Sequence, residues 1–295
     1  MEYINMLSSA GYDLVIEEIP LYNVISCPDN YNSGNHGVKP DDYYDVLAQV
    51  NTANWINSFH TDYSVINIYD KDLKWMREAF KSGSYTGLFP KMFDEEKTDM
   101  IARYNHVQKY FDGTPYFVRC NSVSLKYGQH GVGPYTTFAE IIDSLVTCTK
   151  THTPLDNNSK GTEPLTLFLL PWLTLDTFKE YRIFVYQNRI TAISQQRLSE
   201  VNEFLEKYSE DEQDQVIKRH VEIIQDTFEK TIKPKITHTQ NYCMDAVLLQ
   251  NDTMYFIEIN SFGKEYAAGS ALFHWLRDEE IVYSKKNTIH FRYTL

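Results

Sequence analysis

Two spacings of apolar residues organise this chain. Runs at "YDLVIEEI" and "SVINIY" have the length and β-branched content of strands, while "DLKWMREAF" keeps the period of a helix. With Asp94 placed as an N-cap, Met100, Tyr104, Val107 and Phe111 recur at helical spacing and predict a helix from Asp94 to Phe111 with a core face. "TPYFVRCNSVSLKYGQHGVG" predicts a strand running into a glycine-bearing loop, followed by a helix from about Thr136 to Lys150. "THTPLDNNSKGTEP" has no periodicity and reads as a polar linker. Beyond it, "LTLFLLPW" is a buried strand. Two hairpins follow, separated by a long acidic helix from about Glu200 to Ile232 on which Ile217, Val221, Ile224 and Phe228 line one side. Elements mixed in this way predict an α+β or mixed α/β fold.

The second hairpin, "YCMDAVLLQNDTMYFIEIN", carries polar residues where an apolar strand should have none. Its turn chemistry lies at Asn251 and Asp252, and counting outward from that tip puts Asp245 opposite Glu258. Residues two apart on a strand share a face, so Asn260 joins them. Two facing carboxylates repel unless something compensates. A divalent cation would, and an all-oxygen set that leaves room for water and phosphate oxygens suits magnesium.

A magnesium held by three protein groups shares its shell with nucleotide phosphates, so fixed positive charge should be nearby. Arg119 sits within a strand and Lys126 follows it, before Gly128, Gly131 and Gly133 in a loop whose backbone could approach a phosphate. In the first hairpin, "EYRIFVYQNRITAISQQ", the tip falls at Gln187 and Asn188, and the same counting puts Glu180 opposite Gln195, with Arg182 on the face of Glu180. A local ion pair explains Glu180 and Arg182 as well as function does. Pro171 ends the strand before it, and the backbone there, beside Trp172, is a place for an adenine to bond.

Composition narrows the classes of partner. The 295 residues are 42% hydrophobic, with 28 Lys and Arg against 40 Asp and Glu, a net charge of −12. That balance argues against nucleic acid and anionic membranes as partners. Cys27, Cys120, Cys148 and Cys243 have no paired spacing, which points to reduced thiols, and no histidine set has zinc spacing. The N-terminal "MEYINMLSSAGYDLVIEEIP" lacks the features of a signal peptide, and "LTLFLLPWLTL" is too short to span a bilayer. The expectation is a soluble, cytoplasmic protein.

In order of elements, "FVRCNSVSLK", "LLPW", "EYRIFVYQNRITAISQ", "MDAVLL", "FIEINSFG" and "SALFHW" resemble the ATP-grasp superfamily, and more closely the branch containing the cell division cycle protein 123 family of assembly chaperones for translation initiation factor 2. The resemblance covers roughly Phe111 to Trp275. It implies two lobes that clamp ATP, residues 111–295 with a hinge near 170–172, preceded by a smaller N-terminal α/β portion, residues 1–110. It further implies that Arg119 and Lys126 contact phosphates, that Leu170, Pro171 and Trp172 form the adenine hinge, that Glu180, Arg182 and Gln195 line the pocket, and that Asp245, Glu258 and Asn260 bind Mg2+. The superfamily's usual chemistry is ADP-forming carboxylate–amine ligation through an acyl-phosphate, with a small-molecule or peptide substrate, and Lys126 and Arg182 as catalytic groups. The alternatives are an ATP-binding assembly chaperone without turnover, acting on a protein partner such as an initiation factor, and a kinase-like or nucleotidyl transfer.

Overall fold

Most of the expected elements form, and their ends mark where local chemistry takes over from periodicity. The computed structural model describes residues 4–7, 11–34, 37–155, 164–266 and 268–295. In chain order the elements are β1 (Ile4–Leu7), β2 (Asp13–Ile19), α1 (Leu21–Ser26), α2 (Tyr43–Gln49), α3 (Thr52–Phe59), β3 (Ser64–Ile68), α4 (Asp70–Thr86), α5 (Asp94–Arg103), β4 (Tyr116–Cys120), α6 (Phe138–Thr147), β5 (Leu165–Pro171), β6 (Glu180–Tyr186), β7 (Arg189–Gln195), α7 (Glu210–Thr227), β8 (Tyr242–Leu248), β9 (Met254–Ser261), α8 (Glu279–Val282) and β10 (Thr288–Thr294). Residues 156–163 of the expected linker lie outside the described residues.

Two units divide the chain. One comprises Met1–Val50 with Leu175–Leu295, and the other Asn51–Thr174. The break expected near residue 110 falls inside the second unit, because β3, before it, and β4, after it, both pair with β5 in one sheet.

The first unit is built on a seven-stranded mixed sheet in the order β1-β2-β10-β7-β6-β8-β9. The C-terminal strand β10 lies between β2 and β7, parallel to both. β8 is buried at every position and reads accordingly as a near-continuous apolar run. α7 buries Ile217, Val221 and Ile224, with Phe228 fully buried just past its end. It begins at Glu210 rather than Glu200, because the Glu212 carboxylate accepts hydrogen bonds from the Ser209 N–H at 3.0 Å and its hydroxyl at 2.7 Å, which favours starting the helix there.

In the second unit an antiparallel sheet, β3-β5-β4, packs with α4 and α6 around a core that includes Ile68, Met76, Val118, Ile142 and Leu167. α6 starts at a reciprocal cap: the Thr137 hydroxyl accepts the Glu140 N–H at 3.2 Å, and the Glu140 carboxylate accepts the Thr137 N–H at 3.0 Å. α5 stops at Arg103, and a 3-10 segment, Asn105–Phe111, carries the rest of the expected helix, with Met100, Tyr104 and Val107 buried.

Candidate functional site

The hairpin β8–β9 delivers the pair its turn suggested. Asp245 lies opposite Glu258, with Asn260 on the same face. The tip is one residue longer than expected: Leu249 N–H bonds Thr253 O at 2.9 Å, closing a loop over Gln250, Asn251 and Asp252. A register shift between Asp245 and Ala246 then leaves Ile257 as the extra residue of a bulge and restores the match.

On the other side of β8, Arg182 of β6 lies opposite Asp245. Its Nε donates to Asp245 Oδ1 at 2.9 Å and its Nη2 to Oδ2 at 2.7 Å, while Nη1 donates to Gly269 O at 2.7 Å. Asn260 Nδ2 lies 3.3 Å from Asp245 Oδ2 and 3.1 Å from Glu258 Oε1. The compensation expected from a cation is therefore shared by an arginine and an amide of the chain. Burial pushes the Asp245 carboxyl up, Arg182 pulls it back, and Glu258 opposite pushes it up again, for a net rise above the usual carboxylate range. Burial opposes charge on Arg182 too, yet Asp245 holds the guanidinium above its ordinary value.

Two carboxyls facing each other, Asp245 buried and resisting ionisation and Glu258 half-buried, form a hard-oxygen set that fits a divalent cation. Glu258, Asp245 and the Asn260 amide oxygen would hold it. Among the described residues no group of three His, Cys, Asp or Glu side chains gathers, so the site would rest on two carboxylates and an amide.

The polar row continues across the sheet, beyond the two hairpins. Arg182 is opposite Ser194 on β7, Ser194 is opposite Arg292 on β10, and Arg292 is opposite Glu17 on β2. Arg292 Nε bonds Glu17 Oε2 at 2.7 Å, and its Nη1 bonds Asp278 Oδ2 at 2.9 Å and Leu272 O at 3.2 Å. The Leu272 N–H donates to Ser194 Oγ at 3.0 Å. Arg182 and Arg292 thus anchor carbonyls of one segment, Gly269 and Leu272. The signal was present: "HFRYT" sets an arginine in an apolar strand just as "EYRIF" does.

Gln195 does not join this set. A bulge between Phe184 and Val185 shifts the β6–β7 register, so Gln195 lies opposite Tyr181, and Glu180 begins β6 opposite Val247 of β8. Adjacent strand residues point to opposite faces, which turns Gln195 away from Arg182 and Glu180. Its amide Nε2 bonds Thr294 Oγ1 at 2.5 Å, and its Oε1 accepts from Asn202 Nδ2 and the Thr294 N–H, both at 3.1 Å.

In the second unit, Arg119 on β4 is 2% exposed; its Nε donates to Thr52 Oγ1 at 2.9 Å and its guanidinium stacks 4.8 Å over Trp55. Lys126 is exposed, with Nζ 5.4 Å over the Tyr127 ring. The glycine loop is held to α6: the Gln129 N–H bonds Thr147 Oγ1 at 2.7 Å, and the His130 N–H bonds Ser144 Oγ at 3.2 Å. Gly128 lies so close that a Cβ there would sit 2.4 Å from Ser144 O, so this glycine serves packing. β5 ends at Pro171, as expected, with Leu170 buried; the Trp172 N–H is bonded to Pro115 O at 2.9 Å, and its ring lies against Gly133.

The D123 family model matches residues 139–294, just over half of the chain, including the whole of β6 through β9. This chain belongs to the D123 family. The match takes in Arg182, Asp245, Glu258 and Asn260 and leaves out Arg119 and Lys126. Among solved structures, Cdc123 from Schizosaccharomyces pombe is similar, at 18% identity over 84% of this chain and 97% of that one, with a TM-score of 0.59. A C-terminally truncated Cdc123 from the same organism gives 18% identity over 84% and 96%, with a TM-score of 0.59. At that identity the likeness shows the fold: a mixed α+β, Cdc123-like fold. No protein of curated function matches the chain by sequence. Among the described residues no helix is long and apolar enough to cross a membrane.

Proposed function

We propose that this D123-family chain is a magnesium- and ATP-binding assembly factor of the ATP-grasp type, which uses bound nucleotide to organise itself for a protein partner. The observation that carries the reading is the polar row Arg182–Asp245–Glu258 with Asn260, centred on the buried Asp245 and lying wholly within the family match. Magnesium, when bound, would neutralise phosphate charge. Glu258 and Asn260 would hold it, with Asp245 beside them. Arg182 is a positioning residue: it orients Asp245 through two bonds. For the amide oxygen to reach the ion, Asn260 must turn its Nδ2 away from the carboxylates.

Absence of turnover is favoured by the use already made of Arg182. The Nε–Nη2 fork that a substrate carboxylate would need is taken by Asp245. The test is calorimetric titration of ATP, with and without magnesium, into the wild type and Glu258→Gln. Binding that needs magnesium and drops at least about 100-fold in the variant, roughly 2.7 kcal/mol, is expected. Equal affinity in both proteins would sink the site. ADP release that depends on added amino acids and small carboxylates would replace the assembly reading with an amide-forming ligase.

A further inference from the structure

The second unit carries a groove that the nucleotide reading does not use. β3 is an edge strand, paired with β5 on one side and with no strand among the described residues on the other. An open cavity of about 450 Å³ borders it, lined by Val65, Asn67 and Tyr69 at this edge, Lys71 at the start of α4, and Arg103 and His106 after it. Two apolar side chains are left in solvent there: Val65 is 39% exposed and Tyr69 is 57% exposed. Native proteins usually blunt such an edge, and an uncovered one is a template for another strand.

Charge selects the occupant. The chain as a whole carries −12, yet this lining holds Lys71, Arg103 and His106 against a single carboxylate, Asp72. Asp72 is 4% exposed and already bonded to Arg103. Asp70, the next nearest acid in sequence, is held by Lys74 at 3.1 Å and Arg77 at 3.8 Å. Lys71 is exposed and makes no ion pair among the described residues. A local basic rim beside an open strand edge suits a ligand that offers backbone hydrogen bonds and negative side chains together.

We propose that the β3 edge binds an extended acidic segment of a protein partner by strand addition, with an Asp or Glu of that segment reaching Lys71 and the outer side of Arg103. The groove lies within one unit and needs no nucleotide, so failure of the ATP reading leaves it standing. The probe is a displayed library of random peptides of about nine residues, selected against the full chain at low salt. Enriched peptides should be acidic and poor in proline. They should bind Lys71→Glu roughly tenfold more weakly, about 1.4 kcal/mol, and slow hydrogen exchange at amides of Ser64–Ile68. Lys71 is exposed, so the variant should fold, which its unchanged melting checks. Neutral or basic winners, equal binding to Lys71→Glu, protection elsewhere, or no enrichment would each overturn the proposal.

Discussion

The hairpins β6–β7 and β8–β9 are neighbours in one sheet, yet counting outward from the turn misplaces Gln195 in the first and places Glu258 correctly in the second. In β6–β7 the tip is a two-residue turn, with Gln187 at φ 49° and Asn188 at φ 57°, and the pairing beside it is as counted. The bulge that leaves Thr191 unmatched then moves Gln195 onto Tyr181. In β8–β9 the longer tip and the bulge at Ile257 are two one-residue departures of opposite sign. They cancel before Asp245. Counting from a turn is thus valid only as far as the first bulge, and bulges gather beside sites where a side chain must be aimed.

Arg182 is where the two hairpins meet, so its removal should have the largest effect. Arg182→Gln leaves Asp245 buried beside Glu258 without a full counter-charge, and the expected loss is about 3–5 kcal/mol in urea unfolding. Adding Asp245→Asn should recover part of it, since no buried charge then remains without its partner. A loss under about 1 kcal/mol for the single variant would mean that the row is incidental to stability.

What was legible follows from the range of the interactions. Strand and helix periods depend on near neighbours, and so "EYRIFVY", "MDAVL" and the Ile217–Phe228 stripe could be read directly. Asp245 opposite Glu258 is a contact across one turn. Arg292 with Glu17 is a contact between the two ends of the chain, made only because β10 inserts between β2 and β7. No local pattern encodes that insertion. Arg119 shows another limit: its place in a strand was visible, whereas its burial against Thr52 and Trp55 depends on α3, an element not foreseen.

The second effect isolates the β8–β9 hairpin. Glu258→Gln removes the like charge opposite Asp245, so the metal-free variant should be more stable than the wild type at neutral pH by about 0.5–1 kcal/mol. The sign with pH follows from the raised Asp245 carboxyl. Its stabilising contribution is present below the unfolded value of 3.8 and is lost as pH rises through the folded one. Glu258 adds to that rise, so the loss should be smaller in the variant, and the gap between the two stability curves should widen with pH. A gap that stays constant, or a variant weaker at every pH, would show that Asp245 is governed by burial and Arg182 alone.

The smallest effect lies at the tips, and it separates the two hairpins most directly. At Gln187 and Asn188 both N–H groups are committed, to Asn241 Oδ1 at 2.8 Å and Gln240 O at 2.9 Å. One glycine inserted between them breaks the two-residue turn and at least one of these bonds, for about 1–2 kcal/mol. One glycine inserted after Asn251 only lengthens an exposed loop whose added closure entropy is a few tenths of a kcal/mol. The surface pair Arg219–Asp252 there adds little, since both partners are well exposed. If register in β8–β9 is set by the bulge and by burial of β8 rather than by its tip, this second insertion should leave the unfolding midpoint nearly unchanged. Equal losses at the two tips would instead mean that the turn itself holds Glu258 opposite Asp245.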